Sequence, residues 1–165
     1  MIKLFIIRHG VAADLDHEIA DESYRYLTVH GRNHCKIIAD KLRELKVSPD
    51  IIISSPLVRA VQTAEIFASV LGYKNEIKTA IELIGGSPFS RFLSLIRRNS
   101  HYGNIALVGH APDVNEYSHN LVKESSPAVK FNFKNSSVCR IDYDIQKESG
   151  KFIWFLDSEK LNLIQ

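Results

Sequence analysis

Apolar and polar positions alternate along the chain in blocks that read as strands and helices in turn. Ile2 to Ile7 is an apolar run broken only by Lys3, and it ends abruptly in Arg8-His9-Gly10. A short continuous apolar run fits a buried strand. Residues 11 to 26 are polar and irregular, with Asp14, Asp16, Glu18, Asp21 and Glu22 among them. A loop of that length in a compact chain tends to be functional or disordered. Thr28 is placed to cap a helix, in which Ile37, Ile38, Leu42 and Leu45 recur at helical spacing until Pro49-Asp50 ends it.

Asp50 to Ser55 reads as a second buried strand, followed by Pro56 in a helical first turn with Ser55 as its cap. Val58, Val61, Ile66, Phe67, Val70 and Leu71 make that helix amphipathic, and Gly72 ends it. A weaker strand spans 76 to 84, and Gly85-Gly86 turns the chain. Ser87-Pro88 opens a third helix with Phe92, Leu93, Leu95 and Ile96 inward. Asn104 to His110 repeats the design of the first strand: apolar, then Gly, then His at the tip. Pro112 opens a helix to about Val122. Residues 136 to 144 and 151 to 157 read as a hairpin turning at Ser149-Gly150, and the tail beyond is expected to be loosely held. Strands alternating with helices predict an α/β fold: a three-layer sandwich with a mostly parallel central sheet, helices on both faces and the C-terminal β-hairpin at its edge.

Composition narrows this picture. With 165 residues, 45% of them hydrophobic, the chain suits a single domain over 1–165 with its own core. A formal charge of +2 gives no reason to expect nucleic acid or an anionic membrane as partner. No run of roughly 18 apolar residues marks a membrane span, and no signal-peptide pattern opens the chain. Cys35 lies in a helical pattern and Cys139 in a strand pattern, so both read as small buried hydrophobes. The expected location is cytoplasmic.

The chemistry gathers at three strand ends. One carries Arg8 and His9, one carries Ser54-Ser55-Pro56 with Arg59 close behind, and one carries Gly109-His110. Parallel strands put these tips on one side of the sheet, where open α/β folds bind ligands. Two arginines, two histidines and a helix N-terminus make an anion clamp, since guanidinium forks match phosphate oxygens. No carboxylate stands with the histidines at metal-ligand spacing, so neither metal nor cofactor is expected. Neighbouring cations disfavour a protonated imidazole, and a neutral imidazole can attack phosphorus. His30 and His34, four apart, have no third ligand in view and read as a solvent-facing pair. Ser54 and Ser55 lack a nucleophile elbow. His17, His101 and His119 have no chemical context. Trp154, Phe131, Phe133, Tyr143 and Phe152 read as core or sheet surface. Asp113 and Asn115 follow His110 at the pocket rim.

R-H-G at 8–10, S-S-P-L-x-R-A-x-Q-T-A at 54–64 and V-G-H at 108–110 together resemble the histidine phosphatase superfamily, the phosphoglycerate mutase-like proteins. The resemblance implies that His9 accepts the phosphoryl group, while Arg8, Arg59 and His110 bind its oxygens. Arg25-x-Leu27-Thr28-x-x-Gly31 looks like a segment of the small SixA-type phosphohistidine phosphatases. Gly10, Glu22, Arg25 and Ala111 complete the candidate substrate-binding set. Val11 departs from that group, which has an acid there.

The mutase-like enzymes place an acid after their third strand. Here Glu82 is followed by apolar residues and glycine, and it reads as part of a structural Glu-Leu pair. Asp14, Asp16, Glu18, Asp21 and Glu22 remain as sources of a proton, with Glu22 or Asp21 preferred. A site without a dedicated acid suits phosphoramidates, whose imidazole leaves readily, better than esters, whose alkoxide needs a proton. The expectation is a metal-independent phosphatase acting on a phosphohistidine-bearing protein, such as a phosphotransfer domain, through a phospho-His9 intermediate. The alternatives are a small-molecule phosphomonoesterase of the same fold and a non-catalytic phosphoprotein-binding module.

Overall fold

A computed structural model describes residues 1–165. One seven-stranded sheet organises it. The strands are β1 (Ile2–Arg8), β2 (Ile51–Ser54), β3 (Lys78–Thr79), β4 (Asn104–Gly109), β5 (Val138–Asp144), β6 (Ser149–Asp157) and β7 (Asn162–Ile164). Their spatial order is β3-β2-β4-β1-β5-β6-β7. The first four run parallel to one another, and β5, β6 and β7 extend the sheet antiparallel from β1. The hairpin therefore begins inside the sheet, against β1. The sequence from 158 onward supplies an edge strand, β7, where a loosely held tail is expected.

Helices cover both faces: α1 (Val29–Glu44) and α2 (Val58–Leu71) on one, α3 (Phe89–Arg98) and α4 (Asp113–Val122) on the other. Strand periodicity sorts the side chains between them. Ile2, Leu4 and Ile6 pack with Phe92, Leu95 and Leu121, whereas Phe5 and Ile7 pack with Ile38, Leu42 and Phe67. The parallel strands have two buried faces, which is why they read as unbroken apolar runs.

Local details depart from the sequence expectations in physically clear ways. Ile37 and Leu45 face solvent; the inner face of α1 is Gly31, Cys35, Ile38, Ala39 and Leu42. Small residues there, with Ala60 and Ala64 across the interface, let α1 and α2 share one core. Ser55 is not the cap of α2, whose N-cap is Leu57. The weak strand shrinks to β3, and a 3₁₀ turn at Ile81–Leu83 takes the rest. Gly150 is not a turn residue. It pairs with Tyr143 inside the sheet, where a Cβ would come within 2.8 Å of the Leu121 carbonyl oxygen.

The L-T-x-x-G segment acquires a structural reason. Leu27 is buried, and the Thr28 hydroxyl accepts the Gly31 amide at 2.9 Å as the N-cap of α1. The Thr28 amide donates to the Val11 carbonyl at 3.0 Å. A Cβ on Gly31 would lie 2.1 Å from that same oxygen. The start of α1 is thus docked directly onto the chain leaving β1. Gly→Ala inside a helix ordinarily gains stability; here the overlap is with backbone. Gly31→Ala should therefore destabilise the protein by about 1–3 kcal/mol, as overpacking does, and Thr28→Ala by about 1 kcal/mol through the lost cap. Urea denaturation of the two variants checks both values.

Candidate active site

Register places the chemistry. Arg8 pairs with Gly109 in neighbouring strands, and the His9 amide donates to the Gly109 carbonyl at 3.1 Å. On the other side of β4, the Ser55 amide donates to the Val108 carbonyl at 2.9 Å. The tips of β1, β4 and β2 are consecutive in the sheet, so His9, His110 and Ser55 converge. The His9 and His110 rings are 4.9 Å apart. A cleft of about 380 Å³ opens over them, lined by Arg8, His9, Arg59 and His110 together with Glu22, Arg25, Ala111, Asp14, Val11, Ala12 and Asn135.

The His9 tautomer follows from its partners. Nδ1 lies 2.7 Å from the Gly10 carbonyl oxygen. A carbonyl only accepts, so Nδ1 carries the proton. Nε2 then holds a lone pair facing the cleft, and Arg59 Nε donates toward it at 3.3 Å. Burial first, then the charges of His110, Arg59 and Arg8, push the His9 pKa down to about 3. His110 falls to about 4 through burial and the same two arginines. Both imidazoles are neutral at pH 7.

The cations are only partly compensated. Arg8 donates from Nη1 to the Phe133 carbonyl at 2.8 Å, while its Nε is buried without a partner. His110 Nδ1 is also buried and unpartnered. Its Nε2 lies 2.8 Å from the Ser55 hydroxyl, which accepts the Leu57 amide at 3.3 Å. Buried polar groups without partners are costly. Two of them at the edge of one cleft describe a place for oxygens from elsewhere. Arg59 is 6% exposed; its Nη2 pairs with Glu22 Oε1 at 2.9 Å, and Arg25 Nη1 reaches the same oxygen at 3.0 Å. Glu22 is the counter-ion that Arg59 and Arg25 share, and an anion bound between them competes with it for both guanidiniums.

Other candidates lie elsewhere. Asp16 receives the Glu18 and Ile19 amides, and Asp21 caps the 3₁₀ turn at Glu22–Tyr24; neither lines the cleft. Glu82 pairs with Arg98 at 2.6 Å on the surface. Gly10 lies behind the cleft, its amide bonded to the Thr63 hydroxyl at 3.0 Å, and a Cβ there would come 2.5 Å from Cys35 Sγ. Asp113 accepts the Gly86 amide at 2.6 Å, and Asn115 the Phe133 amide at 2.8 Å, both as loop ties. No group of three or more His, Cys, Asp or Glu is arranged to hold a metal ion. No helix is long and apolar enough to cross a membrane.

Asn135 is the residue that sequence reasoning missed. Its Nδ2 donates to the carbonyls of His9 (3.1 Å) and Gly10 (3.3 Å), so it braces the oxygen that orients His9. Its neighbour Ser136 adopts φ +68° and donates its amide to the Arg8 and His9 carbonyls. Nothing local marks a polar stretch ahead of a strand as a support for a residue over a hundred positions away.

A mixed sheet whose parallel strands end in cationic and imidazole-bearing tips defines a phosphoryl-handling α/β protein. The family model of the histidine phosphatase superfamily (branch 1) matches residues 4–84. An uncharacterised protein from Picosynechococcus sp. (strain ATCC 27264 / PCC 7002 / PR-6) is 34% identical over 120 residues, covering 71% of each chain. Phosphohistidine phosphatase SixA from Escherichia coli (strain K12) is 26% identical over 155 residues, covering 93% of this chain and 92% of that one. The solved structure of the protein histidine phosphatase SixA complexed with tungstate superimposes with a TM-score of 0.87 at 25% identity, over 98% of this chain and all of that one. The chain belongs to the histidine phosphatase superfamily.

The buried neutral histidines make stability depend on pH. The folded state binds fewer protons than the unfolded chain between the ordinary histidine pKa of about 6.5 and the lowered values of about 3 and 4. Stability should be fully present above pH 6.5 and decline as pH falls toward 4. The slope per histidine is at most about 1.4 kcal/mol per pH unit. Thermal melts from pH 8 to 4 check this, and His110→Asn should flatten the decline.

Proposed function

We propose that the protein is a metal-independent phosphohistidine phosphatase that acts on a phosphohistidine-bearing partner protein, with His9 as nucleophile. One observation carries the reading: a neutral imidazole with its proton fixed on Nδ1 holds the lone pair of Nε2 inside a cationic clamp, where Arg59 Nε approaches it at 3.3 Å. The similarity to SixA supports the choice of substrate class. Cytoplasmic location is in keeping with two free, buried cysteines.

The steps follow from the geometry. Arg8, Arg59 and His110 take the phosphoryl oxygens, and Arg25 helps at the rim. The charge that must be neutralised in phosphoryl transfer is met by side chains. His9 Nε2 attacks phosphorus; the Nε2–P bond forms as the substrate's N–P bond breaks. A substrate imidazole protonated on its other nitrogen leaves as a neutral ring and needs no further acid. Water then attacks phospho-His9. Its Nδ1–H, held by the Gly10 carbonyl, lets His9 leave as neutral imidazole too, and the water's proton passes to the released phosphate.

The carboxylates present argue for a phosphoramidate over an ester. An alkoxide leaving group would need an aimed proton. Glu22, the cleft acid nearest the arginines, is occupied as acceptor of two guanidiniums, and Asp14 is fully exposed.

Phosphate release with EDTA present should favour a phosphohistidine protein over p-nitrophenyl phosphate by at least tenfold. His9→Ala should abolish turnover and the acid-labile phosphoenzyme. Arg59→Ala should lower kcat/KM by about 10²–10³, the usual effect of losing one transition-state donor. Equal ester hydrolysis would move the assignment to a small-molecule phosphomonoesterase. Phosphate binding without turnover or phosphoenzyme would leave a binding module.

A further inference from the structure

A second groove, of about 440 Å³, lies between the start of α1 and the segments that flank β5 and β7. Val11 and Asn135 line both hollows, so the two are adjacent. A phosphoryl group and its imidazole need only the first. We propose that the second groove holds the polypeptide flanking the phosphohistidine of a protein substrate; this rests on the function proposed above.

The groove is a built surface. Its floor is closed by internal bonds: His34 Nε2 donates to the Ser158 carbonyl at 2.9 Å, the Ser158 hydroxyl to the Asn135 carbonyl at 2.7 Å, and the Ser137 and Ser158 hydroxyls lie 3.0 Å apart. Those groups are satisfied and hold the shape. The rim is not. Lys134 Nζ is half exposed and only loosely paired, 4.0 Å from Glu159. His30 stacks on His34 with ring centroids 5.9 Å apart and faces solvent. Leu161, in the turn before β7, is 44% exposed.

Free donors beside an exposed apolar side chain fit an extended segment that brings carbonyl or carboxylate acceptors and one apolar side chain. A bare phosphate ester would touch none of them. Asn135 ties the groove to chemistry, because it forms part of the groove wall and also braces the carbonyls of His9 and Gly10. A substrate chain lying there is positioned relative to the nucleophile by one side chain.

The test uses two substrates of the same bond type: a phosphotransfer domain phosphorylated on histidine, and free phosphohistidine. Lys134→Glu and Leu161→Ser lie outside the clamp. Each should raise KM for the phosphorylated domain tenfold or more, leave free phosphohistidine unchanged, and leave the melting temperature within a few degrees. Lys134→Arg should restore most of the loss. Unchanged KM for the domain overturns the proposal, and so does an equal loss on both substrates, which would mean that the change reached the clamp. A wild-type enzyme that hydrolyses only p-nitrophenyl phosphate overturns the phosphohistidine reading itself, and the groove assignment with it.

Discussion

The site depends on keeping an imidazole neutral among buried cations. An isolated guanidinium out of water is costly, and here two of them crowd one histidine. The cost is tolerable because each has a polar anchor: Arg8 on the Phe133 carbonyl, Arg59 on the carbonyl and carboxylate of Glu22. Burial first, and then the positive field, denies His9 a second proton, and the Gly10 carbonyl decides which nitrogen keeps the first. Protonation state, tautomer and a concentration of positive charge thus meet in one arrangement.

The remainder of the structure holds that arrangement still. β1 and β4 are parallel neighbours in a register that brings His9 and His110 out side by side. The chain leaving β1 cannot drift, because its carbonyls and amides are taken by Thr63, Thr28, Asn135 and Ser136. Close approaches at Gly10 and Gly31 leave no room for a side chain. Steric exclusion behind the site and charge within it act on the same few residues. Strain follows: Ser136 holds a left-handed conformation directly beneath the site, where such conformations tend to concentrate.

Much of this was legible in the sequence, and the reasons divide cleanly. Buried parallel strands announce themselves as apolar runs, and Arg8, His9 and His110 stand out because charge at the end of such a run has no place in a core. Arg59 follows from its position just after a strand tip. The opposing hairpin strand beside β1, the edge strand β7 and the bracing by Asn135 were not legible. Each depends on contacts made far along the chain, and the residues involved are ordinary polar or short apolar ones. Ile37 misled because its spacing fits a helix face while the true face is built of small residues. Ser55 misled because a serine before a proline has two uses, and the tertiary one prevailed: its hydroxyl serves His110.

Glu22 sets the terms on which the clamp takes an anion. Its carboxylate bridges Arg59 and Arg25 and offsets part of their charge. A phosphoryl group carries more negative charge and more acceptor oxygens than a carboxylate, so it competes with Glu22 for both guanidiniums. Because Glu22 is half exposed on a short 3₁₀ turn, it can yield without disturbing the sheet. A carboxylate in this position lowers the affinity for small anions, because each must displace it from the guanidiniums before binding.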